Sequence, residues 1–419
     1  MSVGFDTGPR RSGTCFLLYP QSPELAAFAT PERVWLSPEP QTIGPGPSDS
    51  RMYVVNPLEK LRIYEYPYLP PFDGPALTPA QPGPEGHFDH LVPGTPAFAA
   101  AHLYGSIRRT LDVWEGYFGC PIPWHFRRDY ERLEMIPWVD WDNAHSGYGY
   151  IETGWRGVAN GSRVPLSLCF DVLAHEIGHS ILFTCMGTPP PARRTQAFLA
   201  FHETAADLIA LIATLHFDSV LDHVLAQTHG NLFAPNEINR IGELSDTEQI
   251  RVVSTDLVME DVADIVMMPD GTWQDGSGGG RKAHGYGLPL TGAFFDLLVD
   301  VYQAGLLEAG LVPPDIDQGV RFIEHDPSGY DDVDRAFADL YRGRHALFRR
   351  SLIEARDYMG RLLARVFTDI EPDGLRFSDV AQAVLRADRA LTGGRYRRHI
   401  IEDFAWRHIP VPRMPGMAA

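Results

Sequence analysis

Cysteine is scarce in this chain: four in 419 residues, Cys15, Cys120, Cys169 and Cys185, with no CxxC spacing among them. That excludes a disulfide framework or a paired-cysteine motif, and the thiols read as buried or incidental groups of a reducing compartment. Positive charge is also short. Against 54 Asp and Glu stand 36 Lys and Arg, a formal net charge of −18, which argues against nucleic acid and anionic membranes as partners. No run approaches ~20 apolar residues, so no membrane-spanning helix is expected. A secretory signal is missing too. Arg10-Arg11 precede only the patch Cys15-Phe16-Leu17-Leu18-Tyr19, shorter than an export segment, so the expected location is the cytoplasm. No oligomeric state is assigned.

What is present is ordinary globular composition, 44% hydrophobic and 21% charged, in a chain long enough for two or three lobes. Residues 1–96 hold about half of the 35 prolines. Loop signals such as Gly44-Pro45-Gly46-Pro47 lie there among short β-rich runs, 51–55 and 61–64. This segment reads as an N-terminal extension laid on the body. From Pro96 to Phe118 the apolar residues Phe98, Leu103, Ile107, Leu111 and Trp114 recur at helical spacing and predict a long helix. Residues 133–168, rich in Gly, Tyr and Trp, predict strands lining a cleft. The remainder predicts helices: 197–217, then 288–309, 331–366 and 377–391, with a glycine-rich loop at 275–280.

The densest chemistry lies in Ala174-His175-Glu176-Ile177-Gly178-His179 and Glu203-Thr204-Ala205-Ala206-Asp207. On a helix, residues four apart share a face, so His175 and His179 can aim their ring nitrogens at one metal ion. Glu176 sits ~100° round the same helix, placed to flank the metal instead of filling a coordination position. A catalytic zinc takes three protein ligands and one water. Glu203, 24 residues beyond His179, is the third candidate ligand, on a second, antiparallel helix. Asp207, one turn after Glu203, is placed to hydrogen-bond a ligating histidine and set its tautomer. The flanks of this helix are strongly apolar, and buried ionisable groups are costly unless paired or metal-bound.

HExxH followed by ExxxD resembles the thermolysin-like zinc metallopeptidases, a branch of the gluzincins. Several further segments are similar to that family, in its order. Asn143-Ala144 resembles the pair on the edge strand that holds a peptide by its backbone. Val164-Pro165-Leu166-Ser167 running into Phe170-Asp171-Val172 resembles the entry to the metal helix. Ile250-Arg251-Val252-Val253-Ser254 is similar to the stretch bearing a substrate-binding arginine. His284 resembles a second catalytic histidine, set on a loop before a long helix.

The resemblance implies an α+β, two-lobed fold. Its parts are the extension 1–96, a mixed β/α N-terminal lobe 97–184 ending in the central HExxH helix, and a helical C-terminal lobe 185–419. It implies one Zn²⁺ on His175, His179 and Glu203, with Glu176 as general base and acid and His284 as oxyanion donor. It further implies Asp207 and Asp275 as supporting carboxylates, and Asn143, Ala144, Arg251, Leu166 and Val172 as the groups that bind a peptide substrate. The departures bear on the substrate. The loop after the metal helix, Met186-Gly187-Thr188-Pro189-Pro190-Pro191, lacks the family's oxyanion tyrosine: either that donor is lost or Tyr148, Tyr150 or Tyr286 substitutes. Arg163 stands where an apolar pocket residue is usual. Residues 1–96 leave little room for the long propeptide of secreted members.

Asp171 and Ile241-Gly242-Glu243 match calcium-ligand positions, but the six to eight oxygens that Ca²⁺ needs are not evident. The leading expectation is therefore a zinc peptidase cutting around apolar residues. Its rivals are a specialised zinc hydrolase of one modified peptide or small amide, a non-catalytic zinc-stabilised binding protein, and an aminopeptidase-type gluzincin, against which Asn143-Ala144 and the His284 segment argue.

Overall fold

A computed structural model describes residues 12–158, 161–245, 248–268, 270–274, 279–316 and 330–412. The chain is of mixed α/β class, strand-rich before Pro165 and mainly helical after it. Its residues group into two compact units. One is the chain up to Gly116 with Cys120–Ser180 and Gly242–Gln249; the other is Tyr117–Gly119, Ile181–Ile241 and the chain from Ile250 onward.

In the first unit, β1 (Thr14–Leu18) and β2 (Glu32–Leu36) pair antiparallel. Phe16 of this hairpin stacks on Phe88 at 4.8 Å and on Tyr104 of α1 (Pro96–Phe118) at 5.7 Å. Helix α1 spans the residues its spacing predicts, and Thr95 Oγ1 accepts the Phe98 amide at its start, satisfying one orphan donor. Buried His102 of α1 accepts the Tyr19 amide on Nε2 at 3.0 Å and so donates from Nδ1 to the Ser167 carbonyl at 2.9 Å. Burial pushes its pKa down to about 4.

The unit's sheet runs β3 (Met52–Val54), β4 (Leu133–Ile136), β6 (Tyr150–Thr153), β5 (Ala144–Gly147). β3, β4 and β6 are parallel, and β5 closes the edge antiparallel to β6. The β4–β6 register puts Glu134 and Glu152 on one face, since side chains alternate along a strand. Both carboxylates are buried and must be matched internally. Tyr53 and Tyr64 donate their hydroxyls to Glu134 at 2.7 and 2.5 Å. Glu152 holds Lys60 in an ion pair, accepts the Tyr64 amide at 2.7 Å and meets His145 Nε2 at 2.8 Å. Lys60 also lies 3.8 Å over the Tyr64 ring, a cation–π contact, and burial lowers its pKa while Glu152 opposes the shift. Residues 61–64, expected as a strand, are therefore irregular: the Tyr64 amide is bonded to a carboxylate instead of a neighbouring strand. A further hairpin joins β7 (Trp155–Gly157) to β8 (Arg163–Pro165), and α2 (Phe170–Met186) follows.

The second unit is built on α3 (Gln196–Thr214), α4 (Asp218–Thr228) and α5 (Gly279–Glu308). Further along come α6 (Tyr330–Tyr341), α7 (His345–Asp369), α8 (Phe377–Thr392) and α9 (Arg397–Trp406). Between α4 and α5 in the chain, β9 (Arg240–Ser245) and β10 (Glu248–Val252) pair with each other, their residues Gly242–Gln249 belonging to the first unit. Three expectations change here. Helix α5 begins nine residues before the predicted 288. The predicted 331–366 helix is two, because Gly343 turns the chain at φ +74°, a conformation glycine adopts without strain. Finally, Gln196–Thr214 and Arg281–Glu308 are long and apolar enough to cross a membrane by composition, where no such stretch was expected. Each is 83% buried within the protein over its apolar window, as core helices are.

The C-terminal helix is tied to α5 by charge. Arg407, 2% exposed, directs Nε and Nη2 to Asp296 Oδ2 at 3.1 and 2.5 Å. Removing one partner of such a pair strands the other charge in a low-dielectric interior. Arg407→Ala is expected to cost about 3–5 kcal/mol, and Asp296→Leu combined with Arg407→Met to recover most of it. Urea unfolding followed by circular dichroism reads both, and a single-variant loss under about 1 kcal/mol would show the pair to be dispensable.

Candidate metal centre

Helix α2 is apolar almost throughout. Phe170, Leu173, Ala174, Ile177, Ile181 and Leu182 are wholly buried. Asp171 sits in its first turn, and the carboxylate accepts the Val172 amide at 2.8 Å and the Gly242 amide at 2.6 Å. Two backbone donors thus meet the oxygens that the calcium expectation would have needed, and the helix N-terminus favours the charge. Glu243, the other calcium candidate, has a side chain outside the described residues.

Into this helix the chain sets His175 (4% exposed) and Glu176 (7%), with His179 half-buried. The Nε2 atoms of His175 and His179 face each other at 3.1 Å, their rings nearly perpendicular. Two nitrogens on one tetrahedral zinc, each ~2.0–2.1 Å from the ion, stand about 3.3 Å apart. The donor set and its spacing fit the ion. Glu176 projects from the same helix, ~100° away. These residues, up to Ser180, belong to the first unit.

The other candidates gather in the second unit, where the approach of α5 to α3 decides the geometry. At Gly287 a Cβ would lie 2.7 Å from Thr204 Oγ1 and 3.1 Å from the Ala200 carbonyl, so only glycine lets the helices close. Thr204 and Thr291 then pair at 2.9 Å. One turn earlier, on the same face of α5, His284 reaches α3. Its Nε2 stands 3.0 Å from Glu203 Oε2, and its Nδ1 is turned toward Asp207 Oδ2 at 3.9 Å. Asp207 is 4% exposed and is gripped by the Arg251 fork, Nε to Oδ2 at 3.1 Å and Nη2 to Oδ1 at 2.6 Å, the strong planar arrangement that guanidinium offers. His284 was expected on a loop. It lies inside α5, because the glycine-rich start of that segment continues as helix. Asp275, its expected carboxylate partner, lies outside the described residues; within them Glu203 and Asp207 are the carboxylates His284 meets.

The remaining candidates are scattered. Asn143 is exposed, its carbonyl accepting the Gly154 amide at 2.8 Å, and Ala144 opens the edge strand β5. Leu166 and Val172 are core residues, 0% and 6% exposed, and Ile250 is half-buried. Arg163 lies over the Trp155 ring at 3.9 Å and 3.5 Å from Asp140, on the surface. The candidate tyrosines are directed elsewhere. Tyr148 donates to Asp129 at 2.7 Å. Tyr150 is packed with Tyr64 and Ile136, its hydroxyl on the Tyr64 carbonyl at 3.2 Å. Tyr286 leans on Phe377, two residues and ~200° round α5 from His284.

Sequence reasoning missed two contributors. His125 hydrogen-bonds the backbone of Ser180, beside His179, and burial pushes its pKa down to about 4. The grip of Arg251 on Asp207 is the other: each residue was named from its own segment, but not as a partner of the other. His125 sits in no motif, and in both cases the partners are distant in sequence.

No protein-family profile and no curated protein sequence matches the chain. Among solved structures it is similar to the precursor of protealysin, a metalloproteinase from Serratia proteamaculans. That likeness has 12% identity and a TM-score of 0.49 over 86% of this chain and 87% of that one. At that level the two share a general resemblance, and what this centre does is decided by its own side chains.

Proposed function

We propose that the chain is a zinc-dependent hydrolase of peptide bonds, with His175, His179 and Glu203 holding one ion and Glu176 acting as general base and acid. The observation that carries this reading is the meeting of two imidazole nitrogens at 3.1 Å on one face of an apolar helix, His175 buried and His179 half-buried, with the buried carboxylate Glu176 next in sequence to His175. A metal site that only stabilises the fold has no use for Glu176; a hydrolytic one does.

When bound, zinc lowers the pKa of water enough to supply a nucleophile near neutral pH. Glu176 takes the proton from the attacking water and passes it to the departing amine. Its helix, rigid and apolar, holds that carboxylate against drift. The free side of edge strand β5, with Asn143 and Ala144 at its start, suits an extended peptide bound by backbone hydrogen bonds. Arg251 keeps Asp207 charged-paired and fixed, and Asp207 in turn faces His284. The tyrosine hydroxyls, turned to Asp129 and to the Tyr64 carbonyl, favour a narrower substrate range than a general peptidase, one modified peptide or amide.

His175→Ala is expected to abolish the near-stoichiometric zinc of the purified protein, measured by elemental mass spectrometry. Unchanged zinc would remove the basis of the reading. Glu176→Gln should retain zinc and lower hydrolysis by roughly 10²–10⁴-fold, followed by mass spectrometry of a peptide library. A Glu176→Gln protein with full activity would assign the base elsewhere.

A further inference from the structure

The second unit presents two candidate metal donors together. Glu203 Oε2 and His284 Nε2 are 3.0 Å apart, close to the ~3.3 Å expected of two ligands on one tetrahedral zinc. The His175–His179 pair has nearly the same spacing, 3.1 Å. The far nitrogen of His284 is turned toward Asp207, and Asp207 is itself fixed by two bonds from Arg251. A ligating histidine is commonly oriented in this way, with a carboxylate beside its second ring nitrogen. His284 is also set on a helix, not a loop, and Gly287 presses that helix onto the one carrying Glu203.

We propose that His284 is a further protein ligand to the metal, binding through Nε2 beside Glu203. This rests on the zinc reading above. The competing account is a hydrogen bond from His284 to Glu203, which leaves the metal with two imidazoles.

X-ray absorption at the zinc edge of the purified protein separates the two. Three imidazoles in the wild type, falling to two in His284→Ala, are expected. Zinc affinity, read by competition with a chromophoric chelator, should weaken roughly tenfold or more in that variant. Two imidazoles in both proteins would overturn the proposal while leaving zinc binding intact. If His284→Ala fails to fold, the wild-type count decides alone, two imidazoles again overturning it. A wild-type protein that takes up no zinc would instead overturn the underlying zinc reading, and with it this one.

Discussion

Taking an ionisable side chain out of water costs several kcal/mol unless the protein replaces the lost hydration, and much of this structure is arranged around that replacement. In the first unit, Glu134 and Glu152 stand on a buried sheet face, and the segment from Lys60 to Phe72 supplies them with an ammonium, the Tyr64 hydroxyl and backbone amides, while β3 adds the Tyr53 hydroxyl. In the second, Asp296 and Arg407 join the last helix to α5. On α2, Asp171 is met by two amides. The same constraint acts on His175, Glu176, Glu203 and Asp207. Asp207 is answered by the Arg251 fork and Glu203 lies against His284, whereas the buried His175 and Glu176 are the groups whose burial gives the zinc proposal its force.

The centre also shows how small residues control chemistry they do not perform. Gly287 touches no candidate ligand, yet it sets the distance between α3 and α5, and so whether His284 meets Glu203. The arginine fork on Asp207 likewise orients a neighbour instead of acting itself. His284, expected as an oxyanion donor from its place in the sequence, lies 3.0 Å from Glu203, and that approach is what the ligand proposal rests on.

Residues near in sequence declared themselves. The four-residue spacing of His175 and His179, the adjacent Glu176, and the repeat of Phe98, Leu103, Ile107, Leu111 and Trp114 depend only on helix geometry, which is the same in every helix. The mixed strand and helix content was legible for the same reason. The break at Gly343 and the early start of α5 were not, because a glycine can end a helix or sit within one, and only its surroundings choose.

The sequence by itself thus determined helices α1, α2 and α3 and which chemistry-bearing residues of α2 and α3 share a face, but not α4 or the division of 331–366 into two helices. Tertiary structure alone decided which faces meet. It paired Arg251 with Asp207 across 44 residues, set His284 against Glu203, directed Tyr148 and Tyr150 to other partners, and turned an expected strand at 61–64 into an irregular cover for buried carboxylates. Local periodicity follows from the backbone's own hydrogen bonds, whereas long-range pairings follow from desolvation and close packing, which no local pattern records.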